Sequence, residues 1–200
     1  MSYMELLENK LYHIYNQGNN KIQLFYTRDN YLFFLKLIRK FVLPNSEIIA
    51  YSLMPNHYHI MIYTNEKSVE EKEVGNISIS NLSNGFRLLQ SAYTLAFNKL
   101  NNRTGSLFRQ KTKFKCIDEY SDQHYDYICF NYIHQNPYTA NLCDKLEDWE
   151  YSSFKDYVGL RNGTLVNKDL GFRILDLNEK DLYQDSYKVI AEDKIKKLYF

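Results

Sequence analysis

Two histidines separated by one residue, His57 and His59, are the side chains in this sequence best placed to bind a metal ion. They lie between two segments rich in β-branched and aromatic residues, residues 48–54 and 60–63, which predicts a position at the start of a strand. Side chains two residues apart on a strand point to the same face of the sheet. The pair therefore offers two imidazole ligands on one face and needs one or two further ligands from elsewhere in the chain.

A third ligand and a nucleophile are both available at the end of a helix predicted over residues 121–135. Tyr132 and Asn136 are four residues apart, which is one helical turn, so their side chains share a face. The amide oxygen of Asn136 can join the two histidines as a ligand, and the phenol of Tyr132 then lies beside the ion. A set of imidazole and amide-oxygen ligands leaves positions open for phosphate oxygens, and it suits Mg²⁺ or Mn²⁺ better than a closed structural zinc site.

This combination predicts phosphodiester cleavage. The ion acts as a Lewis acid on the scissile phosphate while the tyrosine oxygen attacks phosphorus. A free phenol has a pKa of about 10, so at neutral pH it needs such an electrophilic partner or a nearby base. A simpler interpretation stays open, in which the histidines are polar positions on the exposed face of a strand and Tyr132, one of 19 tyrosines, packs with other aromatic side chains.

The charge of the chain is unevenly distributed, although the net charge is only +1. No acidic residue lies between Val74 and Ile117. This segment contains only basic charges, and we refer to it as the basic block. It predicts a surface that binds a polyanion, and a solvated, lysine-rich surface is the equally supported alternative. The basic residues of the block are Arg87, Lys99, Arg103, Arg109, Lys111, Lys113 and Lys115.

The order of the predicted elements indicates an α+β fold, an antiparallel sheet with helices packed on one face. A strand over residues 11–15 precedes a helix over 29–41, and two strands follow over 47–53 and 57–64. A polar loop is expected over 65–75, then a second helix that begins at residue 80 or 83 and ends at 100, in which Gly85 is a weak point. An extended segment over 111–116 leads to the third helix. Beyond residue 159 the pattern loosens into a mixed-charge tail, with a short possible helix over 186–199.

Composition predicts one globular domain, or one domain with an appendage, in the 200 residues. The chain has no apolar run long enough to cross a bilayer and no recognisable secretory signal, so we expect a cytoplasmic protein without a membrane partner. Cys116, Cys129 and Cys143 show no C-x-x-C spacing and are expected to be reduced thiols. One alternative remains, a zinc-stabilised structural module in which Cys116 or Cys129 completes the histidine pair.

The segment Leu-Met-Pro-Asn-His-Tyr-His at residues 53–59 resembles the signature of single-strand tyrosine transposases with the HUH motif, most closely the REP-associated tyrosine transposases. Further motifs of this resemblance follow in a compatible order between residues 11 and 160. They are Gly-Asn-Asn at 18–20, Tyr-Thr and Phe-Asn within 93–98, Arg-Thr-Gly-Ser-Leu-Phe at 103–108, Tyr-Ile-His-Gln-Asn-Pro at 132–137 and Trp-Glu-Tyr-Ser-Ser-Phe at 149–154. Relatives often carry Arg before the Gly-Asn pair, where this chain has Gln17.

The resemblance implies a ferredoxin-like sheet domain over residues 1–160 that nicks and rejoins single-stranded or hairpin DNA, as a monomer or homodimer. Tyr132 would form a 5′-phosphotyrosine and release a 3′-hydroxyl, while His57, His59 and Asn136 hold Mg²⁺ or Mn²⁺. Residues 161–200 match no part of the family and form a C-terminal extension of unknown role. The alternative is a non-catalytic DNA-binding protein descended from a transposase.

The expected contacts to DNA come from the basic block and from the Gly-Asn-Asn segment. Phosphate contacts are expected from three lysines that alternate along an extended segment, Lys111, Lys113 and Lys115, which would make binding fall with salt. The other expected contacts are Arg87, Arg103, Arg109 and Asn19, although Asn19 and Asn20 favour a turn over a base contact. His13, His124 and His134 are interpreted as ordinary polar or partly buried histidines. Trp149 and Tyr151 are interpreted as packing anchors rather than platforms for base stacking.

Overall fold

A four-stranded antiparallel sheet lies at the centre of the structure, a computed structural model that describes residues 6–118 and 124–198. The sheet consists of β1 (Leu11–Gln17), β2 (Glu47–Met54), β3 (His57–Tyr63) and β6 (Lys113–Cys116), in the order β2-β3-β1-β6. Helix α1 (Arg28–Phe41) connects β1 to β2, and helix α3 (Asn81–Leu100) lies between β3 and β6. This strand–helix–strand–strand–helix–strand order with its antiparallel pairing is ferredoxin-like, so the predicted fold class is confirmed.

The remaining elements surround this unit. Helix α2 (Glu66–Val69) and the hairpin strands β4 (Glu71–Val74) and β5 (Ile77–Ser80) follow β3. Helix α4 (Tyr125–Thr139) follows β6, and the C-terminal part contains the short helices α5 (Phe154–Tyr157), α6 (Lys168–Ile174), α7 (Leu182–Asp185) and α8 (Glu192–Lys197). No helix in the described parts of the chain is long and apolar enough to cross a membrane.

The two faces of the sheet carry different helices. Tyr58 of β3 points to the face covered by α1 and α3, where its ring lies 5.3 Å from Phe34 and 6.4 Å from Phe86. Helix α4 covers the opposite face, to which His59 points, and the rings of Tyr132 and His59 are 5.4 Å apart. Buried residues occur around nearly the whole circumference of α4, as in a helix that packs on more than one side. Helices α1 and α3 therefore share one face, as predicted, whereas α4 packs on the other face and brings its side chains to the histidines.

Gly85, expected to weaken α3, permits a close contact with the end of α1. A Cβ atom at this position would lie 2.3 Å from the backbone oxygen of Phe41. The absence of a side chain therefore lets α3 approach α1 at a point where any other residue would clash. Close packing offsets the low helix propensity of glycine at this site.

The prediction of a loop over residues 65–75 is wrong. This segment forms α2 and β4, and β4 pairs with β5 through a two-residue turn between Val74 and Ile77. Gly75 occupies this turn with a φ of 64°, a conformation that glycine adopts readily. Both strands are only four residues long and mostly exposed. β4 is mainly charged, and the alternation of Ile and Ser in β5 is too short to predict a strand by itself.

The free edge of β2 is covered by the segment that follows α4. Backbone bonds join Leu53 to Tyr151 and Tyr51 to Ser153. The ring of Tyr151 stacks on Tyr31 at 3.6 Å, and the indole of Trp149 donates to the Leu53 carbonyl. These contacts support the interpretation of Trp149 and Tyr151 as packing anchors.

Residues beyond 160 also pack on the sheet domain rather than extending as a loose tail. The guanidinium of Arg161 is bonded to the buried carboxylate of Asp156 and to the hydroxyl of Tyr51, and the backbone of Asn167 donates to Ile48 of β2. Among its described residues, up to position 198, the extension contributes five buried apolar side chains to the core, Leu165, Val166, Leu175, Leu182 and Leu198. Its last helix is shorter than the possible helix over 186–199, and residue 199 lies outside the described residues.

Candidate active site

His57 and His59 lie on the same face of β3, as their spacing predicts. Their ring centroids are 5.0 Å apart and the rings are nearly perpendicular. His59 is almost fully buried, with 1% of its surface exposed, whereas His57 is partly exposed at the end of the strand. The two imidazoles therefore line a site that begins in the protein interior and reaches the surface at His57.

Helix α4 brings Tyr132 and Asn136 to this pair. The ring of Tyr132 meets His59 edge to face at 5.4 Å, and the Asn136 side chain lies close enough to His57 to influence its pKa. The amide nitrogen of Asn136 donates to the backbone oxygen of Tyr132 at 3.4 Å, which leaves the amide oxygen on the His57 side. All four residues predicted to form the metal and nucleophile sites are thus grouped in one place.

Each of the two histidines is held through its Nδ1 atom. Nδ1 of His57 lies 2.6 Å from the side-chain oxygen of Asn56, and Nδ1 of His59 lies 2.8 Å from Nε2 of His13. Metal-binding histidines are commonly oriented in this way by a hydrogen bond at the nitrogen that does not bind the metal. A metal ion at this site would therefore be bound through Nε2 of both rings.

Burial keeps both imidazoles neutral. Desolvation lowers the pKa of His57 to about 4, partly opposed by the Asn136 side chain, which favours the protonated ring. Desolvation also lowers the pKa of His59 far below its usual value, and the neighbouring histidines add to the effect. Neutral imidazole is the form that binds metal ions, so at pH 7 neither ring must lose a proton before an ion binds.

The donor set fits a labile divalent ion. Two imidazoles and one amide oxygen provide three ligands and leave the other positions of Mg²⁺ or Mn²⁺ for water or phosphate. Within residues 6–118 and 124–198, no three side chains of the types His, Cys, Asp and Glu are grouped so that they could hold a metal. The described residues therefore give no support to the alternative of a zinc site completed by Cys116 or Cys129.

Two of the predicted phosphate-binding lysines lie on the same sheet face as the histidines. In the register of the sheet, Lys113 is opposite Tyr15, and Tyr15 is opposite His59. Lys115 is likewise opposite His13. Lys113 is thus two strands from His59, roughly 10 Å at the usual strand spacing. A polyanion bound along β6 would reach the histidines without crossing an edge of the sheet.

Other predicted DNA contacts lie in the loops at the His57 end of the sheet. Arg109 is exposed there, and its backbone nitrogen donates to Gln17. The Asn19 backbone donates to Leu107 and its side chain donates to Ser106, which agrees with its expected role in a turn. The predicted contact Lys111 is exposed in the same loop.

Two of the predicted contacts are less favourably placed. The guanidinium of Arg103 is bonded to the Asn98 side chain and to the Ser106 carbonyl, so it holds its own loop together. Arg87 is exposed on α3 and bonded to Asn84, and α3 covers the face of the sheet opposite to the histidines. The structure does not bring Arg87 to the candidate site.

Sequence reasoning missed the orienting residues Asn56 and His13. His13 was interpreted as an ordinary polar or partly buried histidine, yet it is fully buried and bonded to His59. The alternation of β1 places His13 and Tyr15 on one face of the strand. Only the pairing of β1 with β3 shows that this is the face that carries His59. By contrast, His134 lies away from the site and is bonded to Ser153 Oγ at 2.7 Å, although it is more deeply buried than the interpretation as a polar or partly buried histidine implies.

Comparison with known proteins gives an informative similarity among solved structures. No family model matches the sequence, and no curated protein sequence matches it. Among solved structures, the chain is similar to a REP-associated tyrosine transposase bound to a REP hairpin, with a TM-score of 0.55 and 19% sequence identity over 80% of this chain and 88% of the other. The fold is therefore the one implied by the sequence resemblance.

Proposed function

We propose that this protein binds single-stranded or hairpin DNA and, with Mg²⁺ or Mn²⁺, cleaves and rejoins it through a covalent link to Tyr132. The observation that carries the proposal is the packing of α4 across β3, which groups Tyr132 and Asn136 with His57 and His59. The proposal is further supported by the similar structure, a tyrosine transposase bound to a hairpin. A nucleophile, a ligand set and a basic strand on one face are the parts that this reaction requires.

The bound ion would supply Lewis acidity to the scissile phosphate. Nε2 of His57, Nε2 of His59 and the amide oxygen of Asn136 would hold it. The Tyr132 oxygen forms a bond to phosphorus as the bond to the 3′-oxygen breaks. The phenolic proton is released, and the departing oxygen takes up a proton to become a 3′-hydroxyl. In the rejoining step a 3′-hydroxyl attacks the phosphotyrosine, and the phenol is regenerated.

Binding of the DNA strand is assigned to the basic side chains on the histidine side and at the neighbouring loops. Lys113 and Lys115 line β6, while Arg109 and Lys111 lie in the loop before it. Lysine and arginine contacts to phosphates provide affinity and position without reading sequence. They would hold the strand so that one phosphate lies beside the histidines and Tyr132.

The test is covalent trapping. The protein is incubated with Mn²⁺ and a set of labelled hairpin and single-stranded oligonucleotides, and adducts are separated on denaturing gels. Three tyrosine variants are compared: Tyr132→Phe, Tyr15→Phe and Tyr138→Phe. Tyr15 is the other tyrosine beside His59, at 5.8 Å between ring centroids. Tyr138 is a matched control on the same helix with 41% of its surface exposed.

The proposal expects an adduct in the wild type and in Tyr138→Phe, and none in Tyr132→Phe. An adduct that persists in Tyr132→Phe but disappears in Tyr15→Phe would transfer the nucleophile to Tyr15. If no oligonucleotide gives an adduct while salt-sensitive hairpin binding is retained, the protein is a non-catalytic DNA-binding protein instead.

A further inference from the structure

The residue between the two histidines, Tyr58, points away from them into the core and carries a polar group there. Its ring lies among aromatic side chains, 5.3 Å from Phe34 and 6.4 Å from Phe86, and none of its surface is exposed. Phenylalanine has the same ring, so packing alone does not account for the hydroxyl group. A buried hydroxyl is costly unless it is hydrogen-bonded, and that of Tyr58 accepts a bond from Nε2 of Gln90 on α3 at 2.7 Å.

The hydroxyl of Tyr58 is one end of a chain of hydrogen bonds that leads to the backbone of Arg109. Gln90 donates its second amide hydrogen to Oγ1 of Thr112 at 2.6 Å. The same oxygen accepts a bond from Nδ2 of Asn16 at 3.1 Å. The other hydrogen on Nδ2 is donated to the backbone oxygen of Arg109, also at 3.1 Å. Both hydrogens of each amide and both lone pairs of the threonine oxygen are thereby used.

These bonds fix a short segment that carries two of the proposed DNA contacts. The backbone of Arg109 is held from both sides by the end of β1, since its nitrogen donates to the Gln17 oxygen at 2.9 Å and its oxygen accepts from Asn16. Thr112, at the other end of the segment, is held through its side chain. Only two residues lie between these fixed points, one of them Lys111. The side chains of Arg109 and Lys111 are exposed, but buried groups determine where their backbone lies.

We infer that Tyr58 is a positioning residue for DNA binding, which acts through Gln90 and Thr112 on the placement of Arg109 and Lys111. This inference deepens the proposed function and rests on it. One face of β3 carries the histidine ligands, and on the other face the tyrosine between them anchors the segment that contacts phosphates. The same strand therefore determines where the metal site and these two cations lie relative to each other.

A fixed segment has a physical advantage for this reaction. A segment that becomes ordered only when DNA binds loses part of the binding free energy as side-chain and loop entropy. A displacement of about 1 Å caused far from the reacting atoms can lower a rate about 100-fold. Because the hydrogen bonds are present without DNA, the cations of the segment can hold a phosphodiester at a constant distance from the metal site.

Tyr58→Phe tests the inference because it removes one oxygen atom and leaves the ring in place. Its Kd for a labelled single-stranded oligonucleotide of mixed sequence, measured by fluorescence anisotropy, should rise by about 3- to 10-fold. The matched control is Tyr157→Phe, which removes another buried phenol hydroxyl, bonded to the backbone oxygen of Ile49 at 2.7 Å, and should leave the Kd unchanged. An equal loss in both variants, or no loss in folded Tyr58→Phe, would overturn the inference.

A double-mutant cycle distinguishes positioning from a general loss of stability. If Tyr58 acts by placing Lys111, the loss of affinity caused by Lys111→Gln should be smaller in the Tyr58→Phe background than in the wild type. Lys115→Gln provides the comparison, because Lys115 is held within β6 opposite His13, and its effect should be the same in both backgrounds. If Lys111→Gln also has the same effect in both backgrounds, Tyr58 does not position Lys111.

Hydrogen exchange tests the anchor in the absence of DNA. The backbone amides of residues 110–112 should exchange faster in Tyr58→Phe than in the wild type, and Tyr157→Phe should resemble the wild type. Unchanged exchange in Tyr58→Phe would show that the hydroxyl does not hold the segment, and the inference would be wrong.

The outcomes separate this inference from the proposed function. If Tyr58 and Lys111 are coupled in DNA binding but no adduct forms on Tyr132, the cleavage proposal fails while the role of Tyr58 is supported. If an adduct forms on Tyr132 but the effects of the two substitutions are additive, the cleavage proposal is supported and the role of Tyr58 is overturned.

Discussion

The side chain of Asn56 fixes the protonation of its neighbour His57. The Asn56 oxygen lies 2.6 Å from Nδ1 of His57, and because an amide oxygen only accepts hydrogen bonds, the proton of the neutral ring must be on Nδ1. The lone pair is then on Nε2. Asn56 therefore binds the ring nitrogen of His57 that does not face the proposed ion. Its side chain has a role beyond forming the turn between β2 and β3.

Replacing Asn56 should weaken metal binding without removing a ligand. Asn56→Leu loses the acceptor, so we expect the Kd for Mn²⁺ to rise by about 10-fold or more. Asn56→Asp retains an acceptor at the same place and should bind Mn²⁺ at least as tightly as the wild type. Equal affinities for the Leu and Asp variants would mean that Asn56 does not orient His57.

Lys113 and Lys115 should contribute to DNA binding through phosphates alone. Changing each to Gln is expected to lower affinity for all hairpins by a similar factor and to reduce the slope of log K against log salt concentration by about 0.7 to 0.9 for each lost contact. Lys36→Gln is the matched control, because Lys36 is exposed on α1, which covers the other face of the sheet. Fluorescence anisotropy at several salt concentrations measures the slopes. A loss that depends on the hairpin sequence, or an equal loss in Lys36→Gln, would contradict phosphate contacts from β6.

The buried histidines should make the fold sensitive to acid. Desolvation lowers the pKa values of His13 and His134 to about 3, while in the unfolded chain these groups have pKa values of about 6.5. Between these values the unfolded state binds more protons, so the free energy of unfolding falls as the pH falls from about 6.5 towards 3. Above pH 6.5 both states are neutral at these sites and the effect vanishes.

His134→Leu isolates one of these contributions. It should reduce the dependence of stability on pH by up to about 1.4 kcal/mol per pH unit between pH 6 and 4. Urea unfolding at several pH values measures the change, with Tyr138→Phe as a variant of the same helix that removes no titrating histidine. An unchanged slope in His134→Leu would show that this histidine is not buried in its neutral form.

The local parts of the site could be predicted from sequence, because they depend on short periodicities. The period of two on β3 places His57 and His59 together, and the helical turn places Tyr132 beside Asn136. The contact between His13 and His59 depends on the register of β1 against β3, which joins segments more than 40 residues apart in the sequence. No local sequence pattern determines such a register, because it depends on how the strands pack together in the complete fold.

The position of α4 illustrates the same limit. α4 mixes polar and apolar residues and is buried on nearly all sides, so its sequence does not indicate which face of the sheet it covers. The meeting of Tyr132 with His59 could therefore be proposed from chemistry but not from periodicity. The hairpin of β4 and β5 is not predicted for a different reason: β4 is mainly charged, and the alternation of Ile and Ser in β5 spans only four residues.

Substitution of Gly85 by alanine should destabilise the protein although alanine is the better helix former. The new Cβ would lie 2.3 Å from the Phe41 oxygen, and the resulting shift of α3 should cost about 1–3 kcal/mol, more than the roughly 1 kcal/mol gained in helix propensity. Ser91→Ala, at an exposed position of the same helix, should leave stability unchanged or slightly raised. Chemical denaturation of the two variants provides the comparison, and a stabilised Gly85→Ala would show that the helices can separate there at no cost.

The C-terminal extension should be an integral part of the sheet domain's stability. Leu182 is 2% exposed and belongs to the core, whereas Val189, seven residues later, is 96% exposed. Leu182→Ala should therefore cost about 2–5 kcal/mol, a large part of the 5–15 kcal/mol typical of a whole domain, and Val189→Ala should cost almost nothing. A chain ended after residue 160 loses all five buried apolar side chains of the extension, and we expect it not to fold cooperatively. Thermal and urea unfolding of the three proteins test this. A cooperative transition of the shortened chain at the wild-type midpoint would make residues 161–200 a dispensable appendage.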